Sequence, residues 1–383
     1  MQLRDSGKLQ LDDPVAKHLS WFKLRQAHQG PVITLRHLIT HTSGLPREAG
    51  GTNWSDLTFP TRDEMIRRLA DQETVFAAET EWKYSNLALS LAGEVVAAVS
   101  GESWNQYIEK HILQPLGMTA TRAVPMADTP GLAAGYGRRV VGAARALEPF
   151  VEIDGVRPAG NLASNVEDLA KFASLQLRDQ PQGGNQVLKG STLREMHRVQ
   201  WLRPDWRSGW GLGFSLRRVG EQVRVGHGGS LPGQRTQVEI APADKLGVIV
   251  LTNANDGDPA RYLDQAFTML TPAVKQATAP PMMTALPDPA WEKYVGTYTW
   301  KHSDVEVLIL NGKLTMIVPE ADNPWETRAL LEPAGLHTFR MVSPGASYSA
   351  IGEQVTFTIS PAGRVTRMST PNSYWLRKPR AAQ

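Results

Sequence analysis

The sequence predicts an α+β fold in which helices come first and an antiparallel sheet follows, with a small antiparallel β-barrel after it. Between residues 61 and 120, apolar residues recur at helical spacing. From Trp210 to Asn253, short apolar or alternating runs are separated by Gly, Pro, Asn and Asp, as in adjacent antiparallel strands. We therefore expect a main domain over residues 1–270, a linker over 271–289 and a barrel domain over 290–383.

Composition and charge exclude several classes of protein. The 383 residues, 41% of them hydrophobic, suffice for one large domain and a smaller one. A net charge of +3 with no cluster of Lys and Arg does not indicate a nucleic-acid surface. The longest candidate apolar run, Leu246–Leu251, is far short of the roughly 18 to 20 residues of a membrane span. Cysteine is absent, which excludes disulfides, thiolate metal sites and a Cys nucleophile.

The first residues have the pattern of a helix that is ending. Met1 to Asp5 fits the last turn of an amphipathic helix, and Gly7 and Lys8 are typical stop signals. A domain seldom begins at a last turn, because an isolated turn costs nucleation without propagation. We therefore expect the chain to be cut at its N-terminus. No secretory signal is present in this chain, and its localisation stays open.

A short helix carrying two histidines is expected after residue 33. Thr34 can cap a helix with Leu35, Leu38 and Ile39 on one face, and the run Ser43–Pro46 ends it. His37 and His41 fall one turn apart, a spacing that can bind zinc when a catalytic Glu and a third ligand accompany it. No Glu follows His37 and no third ligand is apparent, so we expect two structural histidines and no metal.

The helical region contains the first candidate site. Thr61–Glu64 is a capping box, and Ser85 to Val99 is a long run of Ala, Leu and Val at helical spacing. Tyr84, Ser85 and Asn86 start this second helix, where side chains project from a rigid support. Tyr-x-Asn alone is a weak motif, and a cap beside a buried Tyr is the alternative. A further helix, capped by Ser164 or Asn165, is expected before the strands.

Several ordered blocks resemble one family. They are Gly7–Pro14, Ile33–Pro46, Trp82–Asn86, Pro158–Ser164, and Gly226–Gly233 followed by the strand Val248–Asn253. Their order and spacing resemble the serine β-lactamase and DD-peptidase superfamily, in particular the branch of class C β-lactamases, D-aminopeptidase-like enzymes and esterases. The resemblance extends from Met1 to about residue 270. It implies a β-lactamase-like domain, here N-terminally incomplete, with an antiparallel sheet flanked by helices.

The resemblance also implies an acyl-transfer site. In this family the nucleophile is the Ser of a Ser-x-x-Lys at a helix N-terminus, with the Lys on the same helix face. Tyr84 would be the catalytic phenol that relays a proton with that Lys, which requires a nearby cation because an unperturbed Tyr pKa is near 10. Asn86 would hydrogen-bond the amide of the substrate and orient the Lys.

The second motif by resemblance is His227-Gly228-Gly229, where the family has Lys-Thr-Gly. His227 would be a catalytic residue that hydrogen-bonds Tyr84 and is partly cationic near neutral pH. Gly228 and Gly229 would let a ligand approach the strand closely. The backbone N–H of Ser230 would donate to the oxyanion, and the other donor would belong to the nucleophile. The alternative is a glycine bulge with one edge-strand histidine.

The nucleophile is not where the family places it. That position lies about one to two dozen residues before Gly7 in the family and therefore precedes Met1. One Ser-x-x-Lys exists, Ser20–Lys23, but about one match is expected by chance, and it falls where the family has a surface connection. We therefore expect that the chain begins at an internal methionine and lacks the nucleophile helix and the first strands.

Beyond residue 270 the sequence predicts a linker and a barrel. Thr271 to Pro289 is rich in Pro, Ala and Thr. Six strand-like runs follow, and Asn311-Gly312 between two of them is a hairpin signal. This part resembles the lipocalin-like domain appended to some of these hydrolases. We expect a barrel filled by its own side chains, with an accessory or oligomerisation role.

Three functions remain open from the sequence. The first is a penicillin-binding-like serine hydrolase acting on an ester, a D-amino-acid peptide or a β-lactam, inactive or impaired in this chain. The second is a non-catalytic protein that binds peptidoglycan-like ligands. The third is an interaction module that acts through its barrel, which could also form a homo-oligomer. All three imply a small-molecule, peptide or protein partner, and none implies a cofactor.

Overall fold

The fold is seen in a computed structural model that describes residues 1–160, 162–179, 187–278, 288–301, 303–342 and 350–379. Its contacts divide the chain into two units, Met1–Ala277 and Thr278–Gln383. The helices of the first unit are α1 (Gln2–Asp5), α2 (Val15–His18), α3 (Leu35–Thr40), α4 (Arg62–Leu69), α5 (Asn86–Ser100), α6 (Trp104–Ile108), α7 (Gln114–Leu116), α8 (Val166–Gln176), α9 (Gly190–Met196) and α10 (Pro259–Thr278). None of the described helices is long and apolar enough to cross a membrane.

The predicted caps position the helices near the site. Thr34 and Thr61 each accept the backbone N–H of the third helical residue, as predicted. Ser85 caps α5 by accepting the backbone N–H of Ala88. Of the two candidates for α8, Asn165 is the cap, because its side chain accepts the N–H of Asp168. Each such bond satisfies a donor that the helix itself leaves unpaired.

The sheet of the first unit has six antiparallel strands in chain order. They are β1 (Trp201–Leu202), β2 (Ser208–Trp210), β3 (Ser215–Val219), β4 (Gln222–Leu231), β5 (Gln234–Ala241) and β6 (Leu246–Thr252). The run expected from Trp210 to Leu216 is divided between β2 and β3, because Gly213 turns the chain with a φ of +80°. An α+β fold is therefore confirmed.

Helices cover both faces of this sheet. Alternate residues of β6 point to opposite sides, as in any strand. Leu246, Val248 and Val250 pack with the Leu263 and Phe267 side chains of α10. Ile249, on the other face, belongs to a cluster with Ala173 of α8. The two helices thus hold the sheet between them, and β5 connects β6 to β4 by pairing with both strands.

The predicted linker is shorter than expected. Helix α10 continues to Thr278, so residues 271–278 are helical and not a linker. Pro272 removes only one helical hydrogen bond, and the Ala, Val, Lys and Gln that follow are compatible with a helix. Residues 279–287 lie outside the described residues.

The second unit contains a closed barrel of eight antiparallel strands. They are β7 (Gly296–Trp300), β8 (Ser303–Leu310), β9 (Lys313–Ile317), β10 (Ala329–Gly335), β11 (Thr338–Met341), β12 (Gln354–Ile359), β13 (Val365–Ser369) and β14 (Tyr374–Arg377). The sequence predicted six of these runs and missed β10 and β14. Pro333 argues against a strand, but it lies at a register shift in β10, where a missing N–H is tolerated.

Large side chains fill the barrel, as expected. Tyr298, Leu314, Phe339, Phe357 and Met368 are all buried in one cluster. The Asn311-Gly312 turn joins β8 and β9 with positive φ at both residues, the geometry that matches the twist of a hairpin. The barrel therefore has a core of its own.

Candidate active site

Strand β4 extends past its neighbour and exposes a free edge. Its pairing with β3 ends at Gly226, which lies opposite Ser215. Its pairing with β5 continues to Leu231. The segment from His227 to Ser230 is exposed and has a strand partner on one side only. Both predicted glycines and Ser230 therefore lie on an edge that a ligand can approach.

The register identifies the backbone groups that face this edge. Gln222 closes the two-residue β3–β4 hairpin, and every second residue after it, including Gly226, hydrogen-bonds to β3 through its backbone. In antiparallel strands, alternate residues direct both backbone polar groups to the same neighbour. Gly228 and Ser230 continue this set, so their N–H and C=O groups point to the side where β3 has ended. Leu231 closes the hairpin to β5, so it and every second residue before it direct their backbone groups to β5. This leaves Gly228 and Ser230 facing the other side, in agreement with the register to β3.

No bulge explains the two glycines. The register between β4 and β5 is continuous through Gly228 and Gly229, which removes the alternative of a glycine bulge. A Cβ at Gly228 or Gly229 would come closest to a side-chain oxygen, of Gln237 or Thr236 respectively. At Gly226 it would lie 1.9 Å from the backbone oxygen of Val238. The sheet itself therefore demands glycine at 226 much more than at 228.

His227 is oriented by its own strand. Its Nδ1 lies 2.5 Å from the carbonyl oxygen of Gly228. A carbonyl only accepts, so Nδ1 carries the proton and Nε2 of the neutral ring is an acceptor. Surrounding protein atoms exclude enough water to lower the pKa of His227 despite the exposure of the residue, and the bond to Gly228 opposes this only partly. Desolvation thus favours the neutral form of His227 over the partly cationic form that the resemblance implies.

Tyr84 lies in a group of aromatic rings that includes His227. Its ring centroid is 6.3 Å from that of His227 and 4.4 Å from that of His41. Trp82 and Trp210 complete the group, with Trp210 standing edge-on to His227 at 5.5 Å. The structure thus brings Tyr84 and His227 together from parts of the chain more than 140 residues apart. The expected hydrogen bond between them is not among those of the described residues.

Burial raises the pKa of Tyr84. The Arg47 guanidinium, 5.4 Å from the ring centroid, counters this effect, and Glu48 adds to it. The phenol is consequently neutral at physiological pH in this arrangement. It can become a better proton acceptor only if a further cation approaches it, which agrees with the sequence-based requirement for a Lys.

Asn86 is held by a carboxylate that the sequence did not point to. Its Nδ2 donates to both oxygens of Glu48, at 2.9 and 3.1 Å. Its backbone N–H donates to the carbonyl of Arg47 at 2.7 Å. This fixes the amide, and Oδ1 makes no hydrogen bond to any described residue. Asn86 therefore offers an acceptor for a substrate N–H or a Lys ammonium.

His41 is the main site residue that sequence reasoning assigned only a structural role. It ends α3 in the left-handed conformation, with a φ of 59°. Its Nδ1 accepts the backbone N–H of Ser85 at 3.2 Å, and its carbonyl accepts the N–H of Lys83 at 2.8 Å. Burial lowers the pKa of His41 to about 3, so the ring is neutral. The block Ile33–Pro46 therefore supports the Tyr84 turn directly.

His37 and the Ser20–Lys23 motif lie outside the group of rings around Tyr84. His37 accepts the N–H of Thr34 at Nδ1, and its Nε2 lies 2.8 Å from Glu79. Ser20 is exposed in a turn after α2, and Lys23 follows in irregular chain. The two are not on one helical face, so Lys23 does not stand in the relation to Ser20 that the family chemistry needs.

Comparison with known proteins identifies the first unit. The family model described as "Beta-lactamase" matches residues 1–271. "Beta-lactamase-like protein 2" of Dictyostelium discoideum is 26% identical over 342 residues, covering 83% of this chain and 61% of that protein. The "D-alanyl-D-alanine-carboxypeptidase/endopeptidase AmpH" of Escherichia coli K12 is 29% identical over 265 residues, 66% of either chain. This chain thus spans about two thirds or less of the length of these curated relatives.

A solved structure shares the fold. The octameric penicillin-binding protein homologue from Pyrococcus abyssi matches with a TM-score of 0.62 and 24% sequence identity. The match covers 98% of this chain and 84% of that chain. At this identity the likeness supports the fold alone.

Proposed function

The chain belongs to the beta-lactamase family, and we propose that its first unit forms the proton-relay and substrate-binding side of a serine acyl-transfer site. One observation carries this proposal: Tyr84 lies beside His227 of strand β4. The residues that follow His227 direct backbone N–H groups to an edge that has no strand partner among the described residues. An acyl-transfer site needs this combination of a proton relay and fixed N–H groups.

The roles follow from the groups that are free to act. The N–H of Ser230 points to the open edge and donates to the oxyanion that forms when a serine oxygen attacks the acyl carbon. Tyr84 passes the proton of that serine towards the leaving group. Asn86 accepts an N–H of the substrate through Oδ1, because Glu48 occupies its amide nitrogen. His227 accepts through Nε2 and orients either the phenol or the substrate.

Two components must come from elsewhere. The Ser and Lys of the family have no counterpart at the corresponding place in this sequence, and Ser20 lies in an exposed turn. Tyr84 also needs a cation, since its pKa is raised here. We propose that a Ser and a Lys arranged as in the family supply the nucleophile and this cation.

Membership of the family indicates a substrate with an acyl carbonyl but does not select among three classes of compound. An ester, a D-amino-acid peptide and a β-lactam all present an acyl carbonyl to such a site. The resemblance to a D-alanyl-D-alanine carboxypeptidase supports the peptide. The second candidate function is ligand binding without catalysis, which is favoured by the intact free edge of β4 in the absence of a nucleophile.

The proposal is tested by reading the gene upstream of Met1 and by covalent labelling. The chain extended by an in-frame Ser-x-x-Lys is expected to react with a fluorescent penicillin or a fluorophosphonate, and Tyr84→Phe is expected to slow the reaction. The 383-residue chain is expected not to react. Absence of any upstream Ser-x-x-Lys would favour the binding function, and labelling of the 383-residue chain that is lost in Ser20→Ala would overturn the assignment of the nucleophile.

A further inference from the structure

A groove of about 590 Å³ opens beside Ser230. Its walls come from four places: the β4–β5 hairpin, the loop that carries Trp54, the segment from Arg138 to Glu148, and Asn255 after β6. Ser230 and Leu231 are among the residues that line it. A substrate whose carbonyl is held by the Ser230 N–H would therefore extend a substituent into this groove.

The ionisable groups of the groove are two guanidinium groups and one carboxylate. Arg235 is fixed, because its Nη1 donates to the carbonyls of Leu231 and Gln234 at 2.7 and 2.9 Å. Its Nε and Nη2 make no hydrogen bond to any described residue and are available to a ligand. Arg138 is exposed and makes no ion pair within the described part of the chain. Two guanidinium groups with N–H donors that bind no described residue thus line one cavity.

The carboxylate is held in place by hydrogen bonds. Glu148 accepts the side-chain N–H of Asn255 at 2.6 Å, and Asn255 in turn accepts the backbone N–H of Gly233 at 2.8 Å. This chain of bonds ties the carboxylate to the hairpin. The charges that line the groove therefore sum to one positive, in a recess where Trp54 supplies an aromatic surface.

We propose that this groove binds a carboxylate-bearing substituent of the substrate, with Arg138 and Arg235 as its specificity-determining residues. This inference rests on the proposed acyl-transfer site for the position of the carbonyl. Guanidinium groups pair with a planar carboxylate through two parallel hydrogen bonds, which gives direction as well as attraction.

Equilibrium binding to the 383-residue chain tests this without any nucleophile. The probes are glutarate and glutaramide, which carry carboxylates and amides respectively on the same carbon chain, and the dissociation constants are measured by ligand-observed NMR titration. Glutarate is expected to bind more tightly. Added salt is expected to reduce this difference in affinity by weakening the binding of glutarate. Arg138→Gln and Arg235→Gln are each expected to weaken glutarate binding by about threefold to fivefold, as for a partly exposed ion pair.

Two further variants test whether binding depends on the sign of the charge in the groove and on the position of the arginine. Glu148→Gln removes the opposing charge and is expected to tighten glutarate binding. Arg139→Gln is the matched control, since this neighbour of Arg138 does not line the groove and its loss is expected to leave binding unchanged. Equal affinity for the two probes, or equal effects of Arg138→Gln and Arg139→Gln, would overturn the inference. Failure of covalent labelling in the extended chain would instead count against the acyl-transfer proposal.

Discussion

The backbone N–H of Ser85 donates to Nδ1 of the buried His41, and this bond joins two segments 44 residues apart. The same imidazole packs against the ring of Tyr84 with 4.4 Å between centroids. His41 thus holds two consecutive residues at the start of α5: Tyr84 by packing, and Ser85 by a hydrogen bond. The position of the Tyr84 phenol depends on the neutral imidazole that packs against it.

A pH dependence of stability follows from His41. Its pKa falls from about 6.5 in the unfolded chain to about 3 in the fold, so the unfolded state binds more protons between these values. Stability is therefore expected to fall as the pH falls from 6.5 towards 3, by up to ~1.4 kcal/mol per pH unit. Urea denaturation monitored by tryptophan fluorescence at several pH values measures this slope.

The variant His41→Asn separates titration from hydrogen bonding. Its Oδ1 can replace Nδ1 as the acceptor for Ser85, and Asn tolerates the left-handed backbone conformation better than most residues. The slope between pH 6.5 and 4 is expected to be smaller in this variant. His41→Ala is expected to cost a further 1 to 3 kcal/mol, roughly, because the N–H of Ser85 loses its acceptor. Identical slopes in His41→Asn and the unmodified protein would contradict the assigned pKa.

The ionisation of Tyr84 should respond to its two charged neighbours in opposite directions. Removing the cation in Arg47→Gln is expected to raise the pKa of Tyr84 further, and removing the carboxylate in Glu48→Gln is expected to lower it. Ultraviolet difference titration gives the phenol signal when the curve of Tyr84→Phe is subtracted. An unchanged pKa of Tyr84 in both variants would show that burial alone controls this phenol.

The candidate site was predictable from the sequence to the extent that its signals were local. Caps at Thr34 and Thr61, the start of α5 at Asn86 and the glycine pair after His227 all lie within a few residues of the feature they determine. The roles of His41 and Glu48 were not predictable, because each acts on a residue at least 38 positions away. Strand β10 was missed since its Pro333 is acceptable only at a shift of register that tertiary pairing creates.

Glycines 226 and 228 should differ in their tolerance of alanine. At Gly226, the new Cβ would lie 1.9 Å from the oxygen of Val238 and 2.8 Å from Cα of Glu239, and backbone cannot move aside cheaply. Gly226→Ala is expected to cost at least about 3 kcal/mol of stability. At Gly228 the closest atom is the mobile Oε1 of Gln237, so Gly228→Ala is expected to cost less than about 1 kcal/mol. Thermal unfolding of both variants checks this order, and equal losses would remove the argument that position 228 is kept small for a ligand.

Glu239 should be far more important for stability than a surface carboxylate in a similar pair. It is buried, and it accepts from Nε and Nη2 of Arg217 at 2.8 Å each. In Glu239→Gln an amide N–H₂ would face these donors, and the cost is expected to be roughly 3 kcal/mol, the lower end for breaking a buried pair because Arg217 is partly exposed. The control Glu73→Gln breaks an exposed pair with Arg25 and is expected to cost less than about 1 kcal/mol. Chemical denaturation of the two variants compares them directly. Because Glu239 lies opposite Gly226 in the sheet, a small effect at Glu239 would also mean that the β4 edge is held by hydrophobic packing and not by this ion pair.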